Sequence, residues 1–327
     1  MNHAPRRARC SAPGKLMLFG EYAVLEGYPS LAMCLNRRIA CEVAFVPGGD
    51  ALEVASPGLF DAPLRVSMDE LAQASAPVPQ LSLLWPVLQA HAPRDAGLSV
   101  RFDADFPPTW GLGSSSASTL AAAAALRTLA GEDWAGRAIF TEVLAAQRNV
   151  QGAASGYDVA TQLLGGFVAY EDSAEVQMRC VDPPPSVPLY WGVGWSRRKA
   201  STGEMIRIVR SRFPVGDEIY AEIGALARQG INLLSSGDAR GLGAALNEGQ
   251  RLLDSLGAVP ADLAAVVGKL QECPGVLGAR LSGAGGGDCV LILADHPGAA
   301  SAASERVGLE PLALSPEKQG IKQEDLL

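Results

Sequence analysis

Histidine is scarce in this sequence, and its scarcity limits the chemistry that the chain can perform. The 327 residues include three histidines, His3, His91 and His296. A Ser–His–Asp or Cys–His catalytic centre needs a histidine beside its nucleophile, and imidazoles are common zinc ligands. The sequence also has no Gly-x-Ser-x-Gly nucleophile segment. The composition therefore argues against a histidine-assisted hydrolase and against a histidine-based metal site.

Long apolar runs are missing as well, and the cysteines are few and dispersed. The six cysteines include no Cys-x-x-Cys pair, which is typical of reduced thiols that pack in a core rather than bind zinc. The longest purely apolar run in the Ala-rich middle, residues 120–126, is far shorter than the roughly 20 residues that cross a bilayer. The amino terminus lacks the apolar stretch of a secretory signal. We therefore expect a cytoplasmic protein without a membrane partner.

Positive charge is in deficit. Acidic residues outnumber lysine and arginine by 35 to 27, so the net charge is −8, and nucleic acid is a poor candidate partner. Hydrophobic residues make up 48% of the chain and charged residues 19%, which indicates a folded core.

A glycine- and serine-rich loop before a helix is the clearest functional signal. Leu98, Val100 and Phe102 alternate as in a strand, and residues 111–116 (GLGSSS) precede the strong helix formers of residues 117–130. Glycines allow close backbone approach, and a helix N-terminus attracts phosphate. No Gly-Lys-Ser/Thr closes the loop, so it is not a P-loop. A dinucleotide fingerprint is also disfavoured, because Ser116 replaces the third glycine and two prolines interrupt the strand.

The Pro-rich segment at residues 183–188 is the best predicted linker. It predicts a first domain over residues 1–185 and a second over residues 186–327. Beyond it we expect a strand over residues 189–195, helices over 216–235, 238–256 and 260–273, and two strands within 276–293. The tail after Pro316 is polar and is expected to fray.

Three segments resemble the signature segments of the GHMP small-molecule kinases. They are residues 12–24 (APGKLMLFGEYAV), 111–117 (GLGSSSA) and 281–289 (LSGAGGGDC), in the family's order and with family-like separations. The resemblance implies an α+β, two-domain GHMP kinase fold, with a ribosomal-S5-like N-terminal domain, a ferredoxin-like C-terminal domain and ATP-Mg²⁺ between them. It is also compatible with a homodimer.

The same resemblance implies roles for particular residues. Lys15 matches the first-segment lysine and Asp158 the aspartate of a Ser-Gly-x-Asp segment, so both are expected to be catalytic, with Lys15 also contacting the substrate. The expected ATP-binding residues are Gly111, Leu112, Gly113, Ser114, Ser115 and Ser116, with Mg²⁺ at Ser115 and Ser116. The other expected substrate-binding residues are Ser155, Gly156, Arg197, Lys199, Ser201, Thr202, Gly283, Ala284, Gly285 and Gly286.

Four local features are more similar to the phosphomevalonate kinases of this family than to the mevalonate kinases. They are Tyr22 after Glu21, residues 194–196 with 200–202, Asp288 in the third segment, and residues 151–152 before 155–160. The predicted reaction is therefore ATP-dependent conversion of 5-phosphomevalonate, a phosphorylated hydroxy acid, to 5-diphosphomevalonate. Phosphorylation of the 5-hydroxyl of mevalonate is the alternative. A GHMP fold that binds a ligand without catalysis is a further one.

A short basic segment could bind a phosphorylated acceptor. An acceptor phosphate needs cations of its own beside a triphosphate, and residues 197–199 (RRK) could supply them.

One position differs from the pattern of the mevalonate kinases. Eleven residues before Asp158 the chain has Gln147, where mevalonate kinases of similar pattern carry a Mg²⁺-binding glutamate. An amide is a weaker ligand for a hard cation than a carboxylate, so metal binding would rest on Ser114 to Ser116, the nucleotide and water.

Overall fold

The computed structural model describes residues 7–73, 75–93, 96–134, 136–198 and 201–326. Strands and helices are intermixed along these ranges, as predicted for an α+β protein. The strands are β1 (Arg7–Phe19), β2 (Ser30–Pro47), β3 (Ala51–Ala55), β4 (Leu64–Ser67), β5 (Ala96–Ala104), β6 (Phe167–Asp172), β7 (Val176–Cys180), β8 (Tyr190–Trp195), β9 (Val276–Leu281), β10 (Cys289–Ala294), β11 (Glu310–Leu312) and β12 (Lys322–Gln323). The α-helices are α1 (Met68–Leu71), α2 (Trp85–His91), α3 (Ser114–Ala130), α4 (Arg137–Gln151), α5 (Tyr157–Leu164), α6 (Thr202–Arg212), α7 (Glu218–Ser236), α8 (Ala239–Ser255), α9 (Ala261–Gln271) and α10 (Ala299–Val307).

The first sheet is built on the long antiparallel pair β1 and β2. Its strand order is β12-β1-β2-β5-β3-β4, and β6 and β7 extend it from the start of β2. Helix α3 packs on β1 and β2, and its five consecutive alanines from residue 121 to 125 are fully buried. Because their side chains are small, the helix can lie close to the sheet. The loop before α3 contacts β1 directly, with the Lys15 amide donating to the Leu112 carbonyl oxygen at 2.9 Å.

The second sheet is smaller and has the strand order β11-β8-β10-β9, antiparallel throughout. Helices α8 and α9 pack on β9, and α10 packs on β8. Helix α7 also contacts β1 and β2 of the first sheet. There Gly230 faces the Phe19 ring so closely that a Cβ would lie 2.5 Å from it. The two sheets therefore share one continuous apolar core.

The carboxyl-terminal residues return to the first sheet, so the predicted frayed tail is wrong. Strand β12 pairs with β1, and the Arg38 guanidinium donates to the carbonyl oxygens of Gln319 and Gly320 at 3.2 and 2.7 Å. The change from first to second sheet falls between β7 and β8, a stretch that includes the predicted boundary at residue 185. None of the helices in the described ranges has the length and apolar character needed to cross a bilayer.

Candidate active site

The three signature segments, here called the glycine-rich segments, are residues 12–24, 111–117 and 281–289. They meet at one cleft of about 920 Å³. Residues from β1, the starts of α3, α5 and α6, and the loop between β9 and β10 line it together. The sequence-predicted residues that line the cleft are Lys15, Gly111, Gly113, Ser114, Ser115, Ser116, Ser155, Asp158, Ser201, Thr202, Gly283 and Ala284.

Two glycines allow the loop before α3 to fit between the other two segments. Gly111 and Gly113 have left-handed backbones, with φ of 72° and 73°. A Cβ on Gly111 would lie 2.6 Å from the Asp288 Cγ, and one on Gly113 would lie 2.8 Å from the Lys15 Cε. Any larger residue would therefore push an acidic or a basic side chain out of the cleft.

The amino terminus of α3 is suited to an anion. It has no side-chain cap, so its first backbone N–H groups are available to a ligand, and the helix dipole favours negative charge there. The buried Ser116 hydroxyl donates to the Gly113 carbonyl oxygen at 3.0 Å, which leaves its lone pairs for another partner. These features support the predicted phosphate site.

Lys15 is a buried cation in the cleft, with 8% of its surface exposed. Its Nζ lies 5.3 Å from the centre of the Tyr157 ring. Burial disfavours the cation, but Tyr157 and the Asp158 and Asp288 carboxylates outweigh that effect and place the pKa of Lys15 above its usual value. The ammonium is therefore charged at neutral pH, as stabilisation of a phosphoryl group requires.

Asp158 is held in place from two sides. It is the second residue of α5, and its Oδ1 accepts a hydrogen bond from the Val159 amide at 2.9 Å. Its Oδ2 accepts one from the Gln147 Nε2 at 3.1 Å. A carboxylate fixed by two donors in a cleft beside a buried lysine can accept a proton from a bound hydroxyl group.

A buried ion pair, which the sequence analysis did not find, anchors the third segment on the first. Glu21 and Arg280 are 3% and 2% exposed, and their side chains are 2.6 Å apart. Glu21 Oε1 also accepts from the Gly283 amide at 3.3 Å. The Ser282 hydroxyl donates to the Met17 carbonyl oxygen at 2.8 Å and accepts from its amide at 3.0 Å. A charged residue at position 280, in an otherwise apolar strand, was the available sequence signal.

Arg207 in α6 is a second cleft residue that the sequence analysis missed. It lines the cleft and makes no ion pair with any residue in the described part of the chain. On the same helix, Arg210 is paired with Glu26 and its guanidinium carbon lies 5.2 Å from the centre of the Tyr220 ring. Of the described residues that line the cleft, Lys15 and Arg207 are the cations.

Arg197 does not reach the cleft, contrary to prediction. Its Nε donates to Glu310 at 2.8 Å on the outer strand β11, and Arg198 makes two hydrogen bonds to Asp262. Both arginines are thus paired with acids elsewhere. Lys199 lies outside the described residues.

Four other predicted residues are close to the cleft without lining it. Leu112 is buried against β1, and Gly156 packs against Leu144 and Phe140. Gly285 and Gly286 turn away toward Ala258, whose carbonyl oxygen accepts from the Gly286 amide at 2.8 Å. They shape the loops that carry the neighbouring cleft residues. Ser201, by contrast, lines the cleft, and its hydroxyl oxygen also accepts a hydrogen bond from the Glu204 amide at the start of α6.

The cleft offers oxygen ligands that fit Mg²⁺ bound with a nucleotide. No group of three or more His, Cys, Asp or Glu side chains in the described ranges could hold a metal ion. Mg²⁺ commonly uses one or two protein oxygens, with phosphates and water completing its shell. The free lone pairs of Ser116 and the hydroxyl of Ser115 meet that need, so both remain our predicted ligands.

Comparisons with known proteins agree with this geometry. The family described as GHMP kinases N terminal domain matches residues 82–166, and the one described as GHMP kinases C terminal matches residues 225–312. The mevalonate kinase of Aeropyrum pernix is 30% identical over 294 residues, which cover 88% of each chain. The mevalonate kinase of Pyrococcus furiosus is 28% identical over 97% of this chain and 98% of its own.

Solved structures share the fold over nearly the whole chain. The mevalonate kinase of Methanococcus jannaschii has a TM-score of 0.78 at 21% identity, covering 95% of this chain and 99% of its own. The Streptococcus pneumoniae phosphomevalonate kinase in complex with phosphomevalonate and AMPPNP also has a TM-score of 0.78, at 19% identity, covering 94% and 99%. These likenesses confirm the predicted two-domain fold. With two matching domains and a relative that is 30% identical over most of its length, the chain belongs to the GHMP kinase family of ATP-dependent phosphotransferases.

Proposed function

We propose that this kinase transfers the γ-phosphoryl group of ATP to the 5-hydroxyl group of mevalonate. The observation that carries the proposal is the placement of Asp158. Its carboxylate accepts hydrogen bonds from two N–H groups and lies in the cleft that Lys15 also lines. A hydroxyl acceptor must lose a proton during transfer, whereas a phosphate monoester is already largely ionised at neutral pH. A fixed carboxylate is therefore more useful with mevalonate. The named relatives at 27–30% identity support the same choice.

The charges that line the cleft also favour an acceptor without a phosphate. A phosphorylated acceptor would bring a second dianion next to the triphosphate, and like charges at that range repel unless cations intervene. Of the three residues that we expected to supply those cations, Arg197 and Arg198 are paired with Glu310 and Asp262, and Lys199 lies outside the described residues. Among the described residues that line the cleft, the cations are Lys15 and Arg207. One lysine can face the transferred phosphoryl group and one arginine can face a carboxylate, and mevalonate carries a single carboxylate.

In the proposed reaction these residues have separate roles. Asp158 accepts the proton of the 5-hydroxyl group as its oxygen forms a bond to the γ-phosphorus. The bond from the γ-phosphorus to the bridging oxygen breaks on the opposite side, and ADP leaves. Lys15 stabilises the charge on the transferred group, and the amino terminus of α3 holds the phosphates. Mg²⁺ bound at Ser115 and Ser116 would neutralise phosphate charge.

5-Phosphomevalonate is the second candidate acceptor, because specific sequence features favour it. Tyr22 follows Glu21 in the first segment, and Asp288 stands in the third. Both line the cleft. With this acceptor Asp158 would orient Lys15 or the acceptor rather than remove a proton.

An ADP-release assay separates the two candidates. The purified enzyme is given Mg-ATP with mevalonate, with 5-phosphomevalonate or with no acceptor, and kcat/KM is compared. We expect turnover with mevalonate at least tenfold above that with 5-phosphomevalonate. Turnover with 5-phosphomevalonate alone would reject the proposal in favour of the second candidate. Nucleotide binding without turnover on either acceptor would point to the ligand-binding alternative.

A further inference from the structure

Gln147 is a buried amide that contacts the carboxylate of Asp158. It lies on α4, lines the cleft and is 3% exposed. Its Nε2 donates to Asp158 Oδ2 at 3.1 Å. Its Oε1 is fully buried and has no hydrogen-bond partner in the described part of the chain. One end of this side chain therefore binds the catalytic carboxylate, while the other is unpaired.

The chemical type of this side chain decides what it can do for Asp158. An amide N–H donates to a carboxylate, whereas an ionised glutamate at the same place has no proton to give and would repel it. The second oxygen of Asp158 is already bound to the Val159 amide. With both oxygens fixed by N–H groups, the carboxylate plane cannot rotate freely, and its remaining lone pairs keep a constant direction.

We propose that Gln147 is a positioning residue, which orients Asp158 for proton transfer through its Nε2. The inference deepens the proposed function and rests on it, because orientation of Asp158 matters most when Asp158 accepts a proton. It differs from the metal-ligand role that the family resemblance implies for a glutamate here. In this chain the buried side chain binds the carboxylate of Asp158, and the metal is left to the serines and the nucleotide.

Two substitutions distinguish positioning from metal binding. Gln147→Glu keeps the size of the side chain and replaces the donor with an anion, and Gln147→Met keeps the approximate size and removes both polar ends. If Gln147 positions Asp158, both variants lose kcat by about 10- to 100-fold, the range of one general acid–base contribution or less. KM for ATP stays near the wild-type value, because the phosphate site at α3 is untouched.

A matched control tests whether any loss comes from instability. Gln250 is another buried glutamine, and its Nε2 donates to Asp254 at 2.9 Å on α8. Gln250→Glu creates the same pair of acids away from the cleft. We expect it to lower the urea midpoint at least as much as Gln147→Glu does, with kcat close to that of the wild type.

The full experiment combines steady-state kinetics with calorimetric titration of ADP in the presence of Mg²⁺, a readout that does not depend on turnover. Unchanged ADP affinity with reduced kcat in both Gln147 variants supports positioning. Tighter Mg²⁺-dependent binding and undiminished kcat in Gln147→Glu would show that Oε1 is a metal ligand and overturn the inference. Wild-type kcat in both variants would overturn it too.

The acceptor preference of the wild-type enzyme tests the proposed function independently of the Gln147 variants. If the wild type turns over with mevalonate and the variants do not differ from it, the inference alone fails. If the wild type uses 5-phosphomevalonate alone, the proposed function fails. Undiminished kcat of the Gln147 variants with that acceptor would then reject positioning altogether, while the same 10- to 100-fold loss would retain the positioning of Asp158 and reject its purpose in proton transfer.

Discussion

The Glu21 carboxylate and the Arg280 guanidinium lie 2.6 Å apart in the interior of the protein. Glu21 follows the end of β1 and Arg280 belongs to β9, so the pair joins the first sheet to the second. Arg280 also donates to the Leu18 carbonyl oxygen and stacks near the Phe19 ring. The pair thus fixes the third glycine-rich segment on the first, which determines the shape of the cleft.

Breaking this pair from one side should destabilise the protein strongly. Arg280→Met leaves the Glu21 carboxylate buried without its cation, and removal of one partner from such a pair costs about 3–5 kcal/mol. Urea unfolding followed by circular dichroism measures the loss. The double variant Glu21→Gln with Arg280→Met should recover part of it. A loss below about 1 kcal/mol in the single variant would mean that the pair contributes no more than a surface ion pair.

Alanine at Gly113 should disturb the active site beyond its effect on the backbone. Gly113 and Gly131 both have left-handed φ, of 73° and 75°. A Cβ at Gly113 meets Lys15, whereas a Cβ at Gly131 meets nothing within 4 Å. Gly113→Ala and the control Gly131→Ala should each lower the free energy of unfolding by roughly 1 kcal/mol, because a side chain disfavours this backbone conformation. We expect Gly113→Ala also to lose kcat by at least tenfold, and equal kcat in the two variants would contradict the packing of Lys15 over this loop.

Replacing Lys15 by methionine should abolish most catalysis and keep nucleotide binding. Loss of one preorganised charge at a transition state typically lowers kcat by about 10²–10³-fold. Lys269→Met removes a lysine from α9, outside the cleft, and serves as the control with wild-type kinetics. Steady-state kinetics and a titration with ADP measure the two effects. Near-normal kcat in Lys15→Met would refute the assigned role.

The raised pKa of Lys15 predicts a simple pH dependence. Its surroundings raise the pKa above the ordinary lysine value of about 10.4, so the protonated form predominates through neutral and moderately alkaline pH. Deprotonation of Lys15 should therefore cause no fall in kcat between about pH 6 and 9. The corresponding contribution to stability is present below the unfolded-state pKa and is lost as the pH rises through the folded-state pKa. A loss of Lys15-dependent activity between about pH 6 and 9 would contradict this assignment.

Arg207 should determine affinity for the acceptor carboxylate. A hydrogen-bonded pair with a charged group contributes about 1.5–3 kcal/mol, so Arg207→Met should lower kcat/KM for the acceptor by roughly 10- to 100-fold. The effect should appear mainly in KM for the acceptor, while KM for ATP changes little. Arg212→Met, on the same helix outside the cleft, is the control. Equal kinetics in the two variants would show that Arg207 does not contact the substrate.

Local features of the sequence predicted the fold and the position of the glycine-rich loop before α3 well. The loop at residues 111–116 and the Ala-rich helix after it carry their signals in adjacent residues, and the structure places them as expected. Helices α7, α8 and α9 and strand β8 also agree closely with their predicted ranges.

Long-range pairing accounts for what the sequence did not reveal. Arg197 appeared available for a substrate phosphate, but Glu310, more than a hundred residues away, pairs with it. Arg207 carried no local signal, because only the packing of α6 brings it to the cleft. The tail appeared free because its partners, β1 and Arg38, lie at the opposite end of the chain.

Direct competition between the two acceptors shows which of them the enzyme phosphorylates more efficiently. The enzyme is given Mg-ATP with equal concentrations of ¹³C-labelled mevalonate and unlabelled 5-phosphomevalonate, and initial products are measured by mass spectrometry. The product ratio equals the ratio of kcat/KM values for the two acceptors. We expect labelled 5-phosphomevalonate to form first and in large excess. Unlabelled 5-diphosphomevalonate as the main early product would contradict it.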